Sequence, residues 1–169
     1  GLYIDTVTET MDVVSTNMLY KAIQWGYKPV IKGDNAAVIS NVYNSAKAVL
    51  RKIINEEMTD YQKVHAIYDW LCYDIAYDYD LLDVEGGLNN QMSYYGYYLE
   101  GIFIDKRAVC DGKAKAFVLL CGMEGINAVR IGGESGGGGH AWNKVLLDAD
   151  DSGEKEWYVI DSTWGDVSV

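Results

Sequence analysis

Between the turn residues Gly33-Asp34-Asn35 and Ile53, apolar side chains fall at Val38, Ile39, Val42, Tyr43, Ala46, Val49 and Leu50. Steps of three and four gather them on one face of a helix. A second helix is announced by Thr59 and Gln62, a capping-box pair, and carries the stripe Val64, Ile67, Tyr68, Leu71, Cys72 and Ile75. Ahead of both, residues 3–16 are rich in β-branched side chains and read as extended. Asn17 then caps a short helix through Trp25, closed by Gly26 with Pro29 just beyond. Periodicity dissolves over residues 77–106, an acidic, glycine- and tyrosine-rich stretch that reads as a functional loop or irregular surface. A fourth helix starts near Cys110 and stops at Gly125. After it come short strand-like runs, NAVRIGG, HAWNKVLL and EWYVID. Helices first and strands last predict an α+β fold.

The 169 residues, 49% of them hydrophobic, suit one domain with a proper core. Lys plus Arg number 14 and Asp plus Glu 25, so 14 − 25 gives a net charge of −11. That sign, with no basic stripe to override it, argues against a nucleic-acid partner. No apolar run approaches the roughly 20 residues that span a bilayer. The chain opens on Gly with no signal peptide, which reads as a trimmed chain in which export is not legible. Cys72, Cys110 and Cys121 are an odd count without a CxxC pair, and the only histidines are His65 and His140. Neither a disulfide framework nor a metal site is expected, and no cofactor.

Cys110 stands at a helix start, where unpaired N–H groups favour a thiolate and can depress its pKa. A buried structural cysteine is the alternative there, and it is the better reading for Cys72 and Cys121, which sit mid-helix among apolar residues. His140 follows Gly136-Gly137-Gly138-Gly139, either an access loop beside a reactive base or a surface loop that happens to end in His. His65 reads as a helix-face residue. Hairpin arithmetic links His140 to a carboxylate. If HAWNKVLL and EKEWYVID pair with Leu147 opposite Glu154, partners sum to 301 and His140 lies opposite Asp161. A slip of two keeps the pair on one face; a slip of one separates it. Thiol, imidazole and carboxylate together form an arrangement for acyl transfer.

The runs AVCDGKAKAF, EGINAVRIGG, GHAWNKV and WYVIDSTWGD, with MTDYQKVHAIYDWLCYDIAYDYD and SYYGYYLEGIFIDKRAVC upstream, resemble the transglutaminase-like superfamily, a papain-related group. The resemblance covers residues 59–166 and extends to bacterial secreted or surface members. It implies a papain-like core over residues 59–169, with residues 1–58 as a helical lead-in. It also implies Cys110 as nucleophile, His140 as general base and acid, Asp161 as orienting carboxylate, a protein or peptide substrate and an extracellular or cell-surface setting. Two functions remain open: a thiol peptidase, amidase or transglutaminase, and a non-catalytic binding domain on the same scaffold. Lys113 replaces an aromatic common in bacterial members, which is expected to alter the cleft rim. The Cys110 backbone N–H is the natural first donor to an oxyanion, and relatives add a side chain that would fall at Gln91 or Tyr95. Trp142 and Trp164 flank His140 and Asp161, as sheet packing or as groove lining. Residues 148–153 echo a calcium loop but reach Val159 where Glu is required, and residues 132–139 lack the Lys-Ser/Thr ending of a phosphate loop. Asp78, Asp80, Asp83 and Glu85 predict a cleft wall that favours basic or amine-bearing partners.

Overall fold

The computed structural model describes residues 1–82, 94–135 and 138–163. At its centre is helix α5, Cys110–Met123, whose hydrophobic residues from Ala114 to Met123 are all buried. A helix apolar all round must be covered all round, and three layers do so. The antiparallel sheet β5 (Ala128–Ser135), β6 (Gly138–Leu147) and β7 (Glu156–Ile160) packs on one side. Helices α1 (Thr16–Gln24) and α3 (Asp60–Tyr73) close other sides, and α2 (Ala36–Ile53) packs outside α1 and α3. Contact with α1 is tight enough that a Cβ on Gly122 would stand 2.5 Å from Ile23 Cγ2. Burying side chains such as Phe117, Leu119, Ile67 and Leu71 contributes about 1.5–3 kcal/mol each. Leu2, Ile4 and Leu19 from the first segment share this core with Val145 and Leu147 of the last.

The predicted helix over α2 and the capping box of α3 form as read: Thr59 Oγ1 accepts from Gln62 N at 3.2 Å, and Thr59 N–H donates to Gln62 Oε1 at 2.9 Å. Other expectations need correcting. Residues 3–16 are not one extended segment; a 3-10 turn, Tyr3–Thr6, precedes strand β1, Thr10–Val13. The cap of α1 is Ser15, whose hydroxyl accepts from Met18 N, because its extended backbone lets the side chain reach the open turn. Strand β2, Lys28–Ile31, pairs parallel with β1 and includes Pro29. The described part of the 77–106 stretch, with the residues that flank it, holds short elements: β3 (Ala76–Tyr77), α4 (Tyr79–Leu82), a 3-10 turn Tyr94–Tyr97, a π turn Gly101–Asp105, and β4 (Arg107–Ala108). Half of the tetraglycine run is strand, since Gly138 and Gly139 pair with Ser135 and Glu134.

The β6–β7 register also differs. Leu147 pairs with Glu156 and Asn143 with Ile160, so partners sum to 303. Asp148 lengthens the connection by accepting from Ser152 and Gly153 N–H groups, closing a turn in which Gly153 takes φ +89°. The slip is two residues, so the face of every side chain is preserved.

Candidate active site

Strand β6 alternates. Ala141, Asn143, Val145 and Leu147 are buried toward α5, while His140 and Trp142 share the other face. Asn143 fastens this arrangement. Its buried amide donates to Ala114 O of α5 at 2.9 Å and to Val129 O of β5 at 3.1 Å. That bond fixes where the head of α5 lies along β6. Cys110, half-buried at that head, accepts hydrogen bonds at sulfur from the backbone N–H groups of Ala141 and Asp111. The sulfur is thereby held against the residue that follows His140.

His140 Nε2 and Asp161 Oδ2 stand 2.6 Å apart, with the two side chains 8% and 18% exposed. When the imidazole donates to Asp161 through Nε2, Nδ1 is the nitrogen left with a lone pair. Asp161 Oδ1 accepts from Thr163 N at 3.0 Å. The sequence after Asp161 is tied to α3: the Cys72 thiol donates to Ser162 O at 3.4 Å. Tyr68, one turn earlier on α3, hydrogen-bonds Cys72 and feels the Asp161 charge; burial first, then these neighbours, push its hydroxyl up to about 12. Trp142 stacks on the imidazole, ring centres 5.7 Å apart and 23° from parallel. Room for that indole exists because residue 133 is glycine, where a Cβ would lie 2.7 Å from Trp142 Cη2.

Burial pushes the Cys110 thiol up from its ordinary value. The Ala141 and Asp111 N–H groups pull it down, and the Asp111 and Asp161 carboxylates push it up. The helix-start position alone predicts a depressed value; loss of water around the sulfur outweighs it. The resting group is a thiol. Cys72 and Cys121 are buried, at 2% and 0% exposure. His65 sits on the outer face of α3, its Nδ1 3.0 Å from Asp69 Oδ2.

Behind Cys110 the chain is held by main chain and charge. Val109 N–H donates to Gly96 O at 3.0 Å, and Gly112 has no room for a side chain because a Cβ would meet that carbonyl oxygen at 2.4 Å. Lys115 donates to Tyr97 O at 2.8 Å, pairs with Asp111 at 3.3 Å and lies 4.6 Å from the centre of the Tyr98 ring. Arg130 pairs with the other Asp111 oxygen. Lys113 is fully buried within α5 and so does not form the cleft rim expected of it. Asp78 and Asp80 share Arg107, at 3.2 and 3.3 Å, which lessens the acidity foreseen for that wall. Gln91, the side chain of Tyr95, Asp83, Glu85 and Trp164 lie outside the described residues. Sequence reasoning missed Asn143, Thr163, and the Tyr68–Cys72 brace. The even spacing of Tyr68 and Cys72, one helical turn apart, was the available signal.

The profile of the transglutaminase-like superfamily matches residues 47–162. Kyphoscoliosis peptidase of Mus musculus is 27% identical over 146 residues, 79% of this chain and 20% of that protein. Its Homo sapiens counterpart is 29% identical over 125 residues, 67% of this chain and 17% of that protein. This chain thus spans about a fifth of the length of these curated relatives. A crystal structure of a TGase aligns with a TM-score of 0.57 at 19% identity, over 78% of this chain and 33% of that one, a likeness of fold. With an α+β core in which a buried helix opening on Cys110 packs against the sheet bearing His140, and a family profile over most of its length, the chain belongs to the transglutaminase-like superfamily.

Proposed function

We propose that this chain carries a thiol-dependent acyl-transfer activity toward amide bonds of proteins or peptides, with Cys110 as nucleophile, His140 as general base and acid, and Asp161 as its orienting carboxylate. The observation that carries the reading is the 2.6 Å His140–Asp161 contact beside a sulfur bonded to the N–H of Ala141. In the reaction, Nδ1 of His140 takes the thiol proton as sulfur adds to the carbonyl carbon. The imidazolium, stabilised by Asp161, then gives that proton to the departing amine and a thioester remains on Cys110. Water resolves the thioester in a hydrolase; an amine resolves it in a crosslinking enzyme. Likeness to a protein named as a peptidase supports the first acceptor, and likeness to a TGase the second.

The test compares wild type with Cys110→Ala on a glutamine-containing peptide library, following peptide cleavage, ammonia release and incorporation of a labelled primary amine. Turnover that disappears with the thiol supports the enzyme. Protein ligands retained equally by both forms, with no turnover, would establish the binding-domain alternative instead.

A further inference from the structure

If Cys110 attacks a carbonyl, the π electron pair moves onto oxygen, and that oxyanion needs donors already aimed at it. The backbone N–H of Cys110, at the open head of α5, is one. At rest the hydroxyl oxygen of Tyr77 lies beside this N–H, close enough to be influenced by it. Main chain puts Tyr77 there. Strands β3 and β4 pair in parallel, Ala76 with Arg107 and Tyr77 with Ala108. Ala76 N–H donates to Lys106 O at 3.0 Å and Asp78 N–H to Ala108 O at 2.9 Å, so Tyr77 is fastened on both sides. Its ring rests 4.9 Å from that of Tyr79, tilted by 53°. Tyr77 is half-buried, and the Cys110 sulfur is close enough for its charge to be felt at the hydroxyl.

We propose that the Tyr77 hydroxyl is the side-chain donor of the oxyanion hole, holding at rest the place that a substrate carbonyl oxygen takes during attack. The proposal rests on the acyl-transfer reading above. An oxygen lying beside the Cys110 N–H already sits next to where an oxyanion must sit. A hydroxyl both accepts and donates, so it can yield the N–H to the incoming oxygen and turn its own O–H toward it. Burial and the adjacent Cys110 sulfur push the Tyr77 hydroxyl up to about 12, which keeps it protonated at neutral pH. No proton leaves it. The sulfur–carbon bond forms as the π pair moves to oxygen. On collapse the C=O bond re-forms, the C–N bond breaks, and the amine departs with the proton that His140 took from the thiol. Tyr77 lends only a hydrogen bond, and it lies upstream of the segment around Gln91 and Tyr95 where sequence reasoning sought a donor.

Two reactions of the same sulfur separate this role from others. Alkylation by iodoacetamide displaces iodide from a saturated carbon and makes no oxyanion; acylation by a p-nitrophenyl ester passes through one. For Tyr77→Phe we expect alkylation of Cys110 within about threefold of wild type, and acylation slower by on the order of 10²-fold with KM little changed. Preserved alkylation also reports that the site has folded. Unchanged acylation, an equal fall in both reactions, or faster acylation (a hydroxyl that merely blocks the site) would each overturn the proposal. If wild type acylates no faster than Cys110→Ala, the acyl-transfer reading itself fails and takes Tyr77 with it. If wild type acylates and Tyr77→Phe keeps pace, only the Tyr77 assignment is lost.

Discussion

Asp161→Asn tests the proposed triad at its most constrained point, because both carboxylate oxygens are engaged by donors. Oδ2 faces His140 Nε2 at 2.6 Å and Oδ1 faces Thr163 N–H at 3.0 Å. An amide has one acceptor oxygen, so its NH₂ must confront either the peptide N–H or the imidazole. Confronting the imidazole forces the proton onto Nδ1 and leaves that nitrogen unable to take the thiol proton. Confronting Thr163 leaves two donors face to face, at about 1–3 kcal/mol. The lost charge adds to this. Unit charges about 4 Å apart interact by about 4 kcal/mol at an effective dielectric constant near 20, worth about 10³ in rate for an imidazolium formed in the transition state. With the wrong tautomer included, the loss approaches the roughly 10⁴ found for the same change in serine triads. We therefore expect turnover of a peptide found by the Cys110→Ala comparison to fall by about 10³–10⁴. The melting temperature should fall by only about 2–10 °C for a domain of this size. Steady-state kinetics and a thermal melt on the same preparation suffice. Turnover within about threefold of wild type, alongside a lowered melting temperature, would make Asp161 a structural anchor and refute the reasoning.

Three further outcomes are expected. Iodoacetamide should label Cys110 well before Cys72 and Cys121, and because the Cys110 thiol is raised above its ordinary value of 9.0, its rate should keep climbing past that pH. A flat, fast rate from pH 5 to 8, measured by peptide mass spectrometry, would instead indicate a standing thiolate. Gly133→Ala should push the Trp142 indole off the His140 ring, changing tryptophan fluorescence and lowering turnover by about tenfold, with a stability loss near 1 kcal/mol because only the far end of a side chain must move. Asn143→Leu removes both side-chain bonds to the Ala114 and Val129 carbonyls, so a loss of about 1–3 kcal/mol and a melting temperature lower by roughly 2–12 °C should appear in a thermal scan; an unchanged melt would show that the two bonds fix nothing.

Much of the architecture follows from local rules: helical spacing for α2, the capping box for α3, and glycine at the end of α5, where Gly125 takes φ +78°. The His140–Asp161 pairing was legible for a stronger reason, since period-two alternation tolerates the two-residue register error made from the sequence. What escaped were features made by distant segments meeting. Parallel strands β1 and β2 are four residues each, and Pro29 within β2 argued against a strand; nothing in either run names the other. Tyr77 is one tyrosine among several in a stretch without periodicity. Only the two-residue β3–β4 pairing, formed across some thirty residues of chain, brings it to Cys110. Asn143 looked like one more polar position of a strand until its buried side proved to face α5.

The Gly96–Gly112 contact has a consequence for how this site can diverge. Immediately behind the proposed nucleophile, one backbone lies directly on another, and the Gly96 carbonyl is already engaged by Val109 N–H. A surface made of main chain presents the same atoms whatever the neighbouring residues become, so selection acting on side chains has nothing to grip there. Changes in substrate preference along a lineage must then accumulate elsewhere around Cys110. A substitution at residue 112 cannot retune the site by degrees; it dislodges the whole 94–98 segment or is not tolerated.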